Sequence, residues 1–200
     1  MAKTIKKEKM GIKLIVYLVR HGRKDLERFR KNKDKGEPCY LSNVGLRQAK
    51  CLAKRFSKEK IDEIFVSNFE RCVQTGEPTS EVLGMKMKVD KGFGEINKEF
   101  RKTLWKKNGY GNNERKEISR IKKSWDKIIR GNGKIIVFAH GGTNRVIMSL
   151  VLGMPVWKLR FGINPAGVTE IRINENGEMG IRHSNDISHL PMSLRKIQSE

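Results

Sequence analysis

The chain has 200 residues, 37% of them hydrophobic, and carries Lys+Arg 43 against Asp+Glu 22 for a formal net charge of +21. That length suits one domain around one core, and no apolar run reaches the roughly 18 residues that span a bilayer. Cys39, Cys51 and Cys72 are odd in number and show no CxxC spacing, which excludes a disulfide framework or zinc site and points to a reducing, cytoplasmic setting.

Residues 1–11 read as a basic tail carrying Lys3, Lys6, Lys7 and Lys9. The apolar run at 14–19 follows, rich in β-branched and aromatic residues. It reads as a buried strand that runs straight into Arg20-His21-Gly22. It lacks a small-residue cleavage site, so it is not read as a signal peptide. A polar stretch to Pro38 is expected to be loop with partial helix. Ser42 is a candidate N-cap for a helix with apolar positions Leu46, Ala49, Leu52, Ala53 and Phe56. A strand at 61–66 leads to Ser67, and a helix around 71–83 follows whose start is obscured by Pro78. A short strand at 85–89 runs into Gly92-Phe93-Gly94-Glu95. Residues 96–130 are basic and mostly helical, with a break at 108–113. The run at 135–139 is a second buried strand and ends in His140-Gly141-Gly142, before a helix at 143–152. Strands at 168–173 and 179–183 form a hairpin across an Asn/Gly-rich turn. This alternation predicts a three-layer α/β/α sandwich with a mostly parallel central sheet.

Two buried strands that each end in His-Gly are the most informative feature. Ligands of open α/β sheets bind at the carboxyl ends of strands, where distant segments can meet. A histidine nucleophile for phosphoryl transfer needs a neutral imidazole held in one tautomer, cations around a doubly charged group, and an acid for the leaving oxygen. Arg20 and His21 supply a cation beside an imidazole. His140 supplies a second imidazole before a predicted helix N-terminus, itself an anion site through Gly141. Arg71, four residues after Ser67, is a further candidate cation.

These blocks resemble the histidine phosphatase superfamily, also called phosphoglycerate mutase-like, and in particular its small bacterial phosphatases. Leu18, Arg20, His21 and Gly22 match its opening Leu-x-Arg-His-Gly motif. Leu41, Ser42, Gly45, Gln48 and Ala49 match Leu-Thr-x-x-Gly-x-x-Gln-Ala with Ser for Thr. Ser67, Arg71 and Thr75 match Ser-Pro-Leu-x-Arg-Ala-x-x-Thr, and His140, Gly141, Gly142 and Arg145 match Ser-His-Gly-Gly-x-x-Arg. Asn185-Asp186-Ile187-Ser188-His189-Leu190 is similar to the tail motif Asn-Asp-Thr-x-His-Leu. The resemblance spans residues 13–191. It implies a domain at 12–191 with the basic segment 96–130 as a lid, followed by a C-terminal tail at 192–200.

The resemblance also implies hydrolysis of phosphomonoesters through a phosphohistidine on His21. Arg20, Arg71, His140 and Gly141 would bind the phosphoryl group, and Glu95 would serve as acid and then base. No metal or other cofactor is implied, and the partner is a small phosphorylated substrate. Glu99 and Asp25 are rival acids, because Glu99 replaces a family glycine. Glu27 stands where many members carry a phosphate-contacting Asn, and a carboxylate there would repel phosphate. Phosphoglycerate mutase activity is one alternative. A polyanion- or nucleic-acid-binding protein on the same scaffold is another, suggested by the charge. The basic residues are interspersed with acids, however, as on solvated helix faces. Cys72, Trp105, Trp125, His183 and His189 are read as packing or structural residues.

Overall fold

The computed structural model describes residues 11–32, 38–106 and 111–195, so the expected basic tail lies outside them except for Gly11. Six strands form one sheet: β1 (Ile12–Arg20), β2 (Glu63–Val66), β3 (Met87–Val89), β4 (Gly133–Ala139), β5 (Val168–Asn174) and β6 (Met179–Asp186). Their order is β3-β2-β4-β1-β5-β6. The first four in that order pair in parallel, whereas β5 and β6 add an antiparallel edge. β1 is therefore parallel to one neighbour and antiparallel to the other. A four-residue turn (175–178) cannot provide the crossover that a parallel partner needs, so β6 returns beside β5 as a hairpin.

Successive side chains of β1 and β4 point to opposite faces, and both faces are apolar, as a sheet covered on two sides requires. Leu14, Val16, Leu18, Ile135 and Val137 pack against Phe100 of α4 (Lys98–Thr103), Ile121 and Trp125 of α5 (Asn112–Ile128), and Val146 and Ile147 of α6 (Gly141–Val151). Tyr17, Val19, Ile136 and Phe138 pack on the other face against Leu52 and Phe56 of α2 (Asn43–Phe56) and Cys72 of α3 (Glu70–Leu83). Each fully buried Leu, Ile or Phe contributes about 1.5–3 kcal/mol. The result is the expected three-layer sandwich. Among the described residues, no helix is long and apolar enough to cross a membrane.

Several local expectations shift for physical reasons. Ser42 caps α2 by accepting from Gly45 N, yet Leu46 is 41% exposed. The buried stripe of α2 instead includes Gly45 and Gln48, which the active-site turn requires. α3 starts at Glu70 and runs through Pro78; its buried side, including Cys72, Thr75 and Thr79, offsets the lost backbone bond. It ends at Gly84, whose φ of 63° is the left-handed cap conformation. The polar stretch after β1 holds α1 (Leu26–Asn32). Within the expected C-terminal tail, Leu194 is buried and its carbonyl accepts from Gln48 Nε2 at 2.9 Å, while Met192 is exposed.

Candidate active site

β1 and β4 are adjacent and parallel, with Arg20 in register with Ala139. The two His-Gly ends therefore emerge side by side, and the His21 N–H donates to the Ala139 carbonyl at 3.0 Å. β2 lies on the other side of β4, and the Ser67 N–H donates to Phe138 O at 3.0 Å. Three strand ends thus bring His21, His140 and Ser67 to one edge of the sheet.

The turn after His21 is pinned by residues of the other matched blocks. Gly22 N donates to Thr75 Oγ1 at 3.0 Å, and that hydroxyl donates to Arg71 O at 2.6 Å. Arg23 N donates to Gln48 Oε1 at 2.8 Å. The turn and α2 touch backbone to backbone: a Cβ on Gly22 would stand 2.8 Å from Gly45 O, and one on Gly45 would stand 2.2 Å from Arg23 O. Gly45, Gln48 and Thr75 each contact this one turn at residues 22–23.

Both histidines are buried. His21 Nδ1 lies 2.7 Å from Gly22 O. A carbonyl only accepts, so Nδ1 carries the hydrogen and Nε2 keeps its lone pair. His140 Nδ1 lies 3.0 Å from Arg71 Nη2, which only donates, so His140 Nε2 carries the hydrogen toward Ser67 Oγ at 2.8 Å. Burial, followed by the charge of Arg71, holds both imidazoles well below their ordinary range, with His140 and Arg20 adding to the effect on His21 and Arg20 to that on His140. Both are neutral at neutral pH. Their rings stand edge to face with centroids 5.3 Å apart.

The two expected arginines converge on this pair. Arg71 is buried, donates to His140 and stacks 4.6 Å over the ring of Phe69, which itself contacts His140 edge-on. Arg20 is 9% exposed and donates through Nη1 to Ile163 O. Ala166 N donates back to the carbonyls of Arg20 and His21, with Ala166 held at a φ of 56°. Gly141 opens α6, whose first N–H groups have no partner within the helix.

Beside these groups lies a cavity of about 210 Å³ lined by Arg20, Glu95, Arg101, Gly141, Arg145 and Asn164, among others. Of the expected site residues, Arg20, Glu95 and Gly141 line it, while His21, Arg71 and His140 are buried next to them. The Glu95 side chain is 13% exposed, accepts from Ile96 N at 3.0 Å and pairs with Arg101 Nη2 at 3.3 Å. Neither rival acid is here. Glu99 is exposed on α4, and Asp25 caps α1 by accepting from Arg28 N at 2.9 Å. Glu27 pairs with Lys31 on the exposed face of α1, so that carboxylate does not oppose the site. Among the described residues, no group of three or more His, Cys, Asp and Glu stands together as a metal site would need.

Three contributors were not legible in the sequence as site residues. Arg101 reaches the cavity from α4, and Arg145 reaches it while stacking 4.6 Å over Trp105. Asn185 holds the loop behind Arg20 by accepting from Asn164 N at 2.7 Å and donating to Gly162 O at 3.2 Å. Arg145 and Asn185 did belong to matched motifs, and that was their only signal. Cys72 is buried and donates to Ala139 O at 3.3 Å, and burial pushes its thiol up, as suits a packing residue. Trp125 is buried, as a packing residue is. His189 is held down at about 4, mainly by burial and then by Arg55.

Two neutral imidazoles and two arginines at the carboxyl edge of an α/β sheet, with a carboxylate alongside, define a site for phosphoryl chemistry. A model of the histidine phosphatase superfamily (branch 1) matches residues 16–186, and the chain belongs to that superfamily. A Schizosaccharomyces pombe protein named as a probable phosphatase is 29% identical over 198 residues, spanning 88% of this chain and 94% of its own. Entamoeba histolytica phosphoserine phosphatase, solved with 3-phosphoglyceric acid, superposes with a TM-score of 0.69 at 19% identity, over 89% of this chain and 100% of its own. A mycobacterial glucosyl-3-phosphoglycerate phosphatase solved with VO3 gives a TM-score of 0.68 at 17% identity, over 86% of this chain and 98% of its own. These structural likenesses show the shared fold.

Proposed function

We propose that this phosphatase hydrolyses small phosphomonoesters in two steps, with His21 as the group that becomes phosphorylated. The observation that carries the reading is the hydrogen bond from His21 Nδ1 to Gly22 O, which leaves Nε2 as a neutral nucleophile. Nε2 attacks phosphorus, and the P–O bond to the leaving group breaks. The ring gains positive charge in this step, which strengthens its bond to the Gly22 carbonyl. Arg20, Arg71 and the first N–H groups of α6 bind the phosphoryl oxygens and stabilise the charge spread over them. His140 is closed off by Ser67 and Arg71, and contacts the phosphoryl group by exchanging one of those partners for an oxygen.

Glu95 delivers a proton to the leaving oxygen and then, as a carboxylate, takes one from water. That water attacks the phosphohistidine, the N–P bond breaks, and phosphate leaves with His21 neutral again. Beyond Glu95 the cavity is lined by Arg101 and Arg145. Their charge supports a substrate that carries a second acidic group on its leaving portion. The 3-phosphoglyceric acid bound to the Entamoeba relative is a molecule of that kind. Of segment 96–130, proposed as a lid, Ile96, Arg101 and Leu104 form a wall of this cavity.

The test is phosphate release from a panel of phosphorylated metabolites, with acid-quenched enzyme analysed for phosphate on histidine. Release with acid-labile, base-stable phosphate on His21 is expected. Turnover without any phosphoenzyme in rapid-quench samples would overturn the two-step reading.

A further inference from the structure

We propose that Arg120 is a positioning residue for Glu95, holding the acid's loop against the lid helix α5; this rests on the role given to Glu95 above. Arg120 lies 25 residues after Glu95 in the basic segment 96–130 and, unlike Arg101 of that segment, is not among the residues lining the cavity beside His21. Its guanidinium gathers the carbonyls of one short loop. Nη1 donates to Lys91 O at 3.1 Å, Gly92 O at 2.8 Å and Gly94 O at 3.2 Å. Nη2 donates to Gly94 O at 3.2 Å and to the carbonyl of Glu95 itself at 3.3 Å. Glu117, one turn back on α5, fixes the guanidinium through Oε2 at 2.7 Å.

The loop is anchored in the core by Phe93 and Ile96, and its backbone between them is held by side-chain hydrogen bonds. A single 3-10 turn at Lys91–Phe93 precedes Glu95, and Glu95 lies in no helix or strand. Its start is tied to the same helix: Asp90 Oδ1 accepts from Gly92 N at 2.7 Å and from Ser124 Oγ at 2.9 Å. Its far end is tied to α6, where Thr143 Oγ1 donates to Gly94 O at 2.7 Å. Gly94 O therefore receives both Arg120 and the first turn of the helix that His140 caps. Arg120 joins the lid helix to the acid on one side, and Thr143 joins the acid to the phosphoryl site on the other.

The planar fork explains the residue type. Four carbonyls and one carboxylate need donors spread across a plane, and a lysine ammonium presents three donors at one point. Arg120 does not touch the reacting atoms in this arrangement. It acts by fixing where the Glu95 carboxyl stands, and misplacement of a catalytic group by about 1 Å can cost 10²-fold in rate.

The test measures kcat on an alkyl phosphate and on p-nitrophenyl phosphate, whose leaving group hardly needs a proton, in Arg120→Ala, Arg120→Lys, Glu95→Gln and Arg120→Ala/Glu95→Gln. Arg120→Ala is expected to slow the alkyl ester at least about 10-fold more than the nitrophenyl ester. Arg120→Lys should restore folding stability but less than half of that selectivity on a logarithmic scale. In the Glu95→Gln background, Arg120→Ala should add no further selectivity, because the group it positions is gone. Hydrogen exchange should speed up at residues 92–96 in Arg120→Ala. Equal slowing of both esters, or full rescue by lysine, would overturn the positioning role. If Glu95→Gln itself shows no selectivity while exchange at 92–96 still responds to Arg120→Ala, the role of Glu95 fails, and the inference with it, although the clamp on the loop stands.

Discussion

Gly142 and Glu95 leave each other no spare room: a Cβ on Gly142 would stand 2.6 Å from Glu95 Oε1 and 2.5 Å from Ile96 Cγ1. The second glycine of His140-Gly141-Gly142 is therefore the surface on which the Glu95 carboxyl rests. Gly142→Ala should displace the Glu95 carboxyl while leaving α6 intact, because alanine favours helix. The expected outcome is a fall in kcat of about 10²-fold on alkyl phosphates with a smaller fall on p-nitrophenyl phosphate. Steady-state kinetics on the two esters checks it. Unchanged kinetics would mean that the loop accommodates the methyl group, and that its position does not matter to the rate.

His21→Ala should remove at least about 10³-fold of kcat and all phosphoenzyme, since the other neutral imidazole, His140, has Nδ1 taken by Arg71 and its hydrogen on Nε2. Because burial and Arg71 hold His21 well below its ordinary range, the nucleophile stays neutral as pH falls from 7 to 6. The acid limb of kcat/KM should therefore lie below about pH 6, under the ordinary range of histidine. An acid limb centred on about 6.5 would show that His21 titrates as an exposed imidazole does.

In the proposed mechanism the positive charge that offsets the phosphoryl group comes from Arg20 and Arg71, both buried, with Arg71 donating to His140. Full activity is accordingly expected after exhaustive EDTA treatment. Loss on chelation that a divalent ion restores would assign part of that charge to a metal.

The same histidines make the fold sensitive to acid. His21, His140 and His189 are all held below their unfolded value of about 6.5. Below that pH the unfolded chain binds protons that the folded chain refuses, so stability drops as pH falls and is fully present above it. Each such group adds a slope of up to about 1.4 kcal/mol per pH unit. Asp186 acts lower: burial opposes its ionisation, but the Ser188 N–H and Arg55 outweigh burial and pull it down to about 2. Its contribution is lost as pH falls through that value. Urea unfolding at pH 7.5, 6 and 5 should show a falling midpoint, and His21→Gln should flatten the slope by about one proton. A midpoint that is constant from 7.5 to 5 would contradict the burial of neutral imidazoles.

The halves of the site that lie on continuous strand-turn runs were readable from the sequence. β1 and β4 announce themselves by apolar content, and His21 and His140 follow each without a gap. The proposed acid was readable only in part. Glu95 sits in a loop with no periodicity, and Glu99, four residues on, has the same chemistry. What separates them is burial: the Asn97 cap starts α4 and turns Glu99 outward, whereas Glu95 faces α6. Arg101 and Arg120 were lost among similar basic residues because their roles depend on which carbonyl or carboxylate the folded chain brings to them. Leu46 misled for the converse reason. Helical spacing marks a stripe but cannot tell that Gly45 and Gln48 displace a leucine where a backbone turn must approach.

The charge of +21 finally separates catalysis from polyanion binding, because two of the cavities are lined by clusters of basic residues. Arg20, Arg101 and Arg145 line the 210 Å³ cavity beside His21. Arg115, Lys116, Arg120 and Lys123 line a broader cavity of about 720 Å³ along α5, away from it. If the charge serves substrate capture, salt should raise KM for phosphate esters bearing a second acidic group and change kcat little, since screening weakens encounter rather than chemistry. Arg145→Ala should raise KM for such esters about 10-fold or more, with a smaller effect on esters of neutral alcohols. The double variant Lys116→Glu/Lys123→Glu should leave both KM values within about two-fold, because those lysines lie on the other cavity. Nucleic-acid binding would look different: affinity would fall linearly with log salt, with a slope set by the phosphates contacted. Filter binding of single- and double-stranded DNA and RNA at physiological salt is expected to show only weak, salt-sensitive retention. Tight retention that the α5 double variant abolishes, together with no turnover across the metabolite panel, would make that groove rather than the histidine site the functional surface.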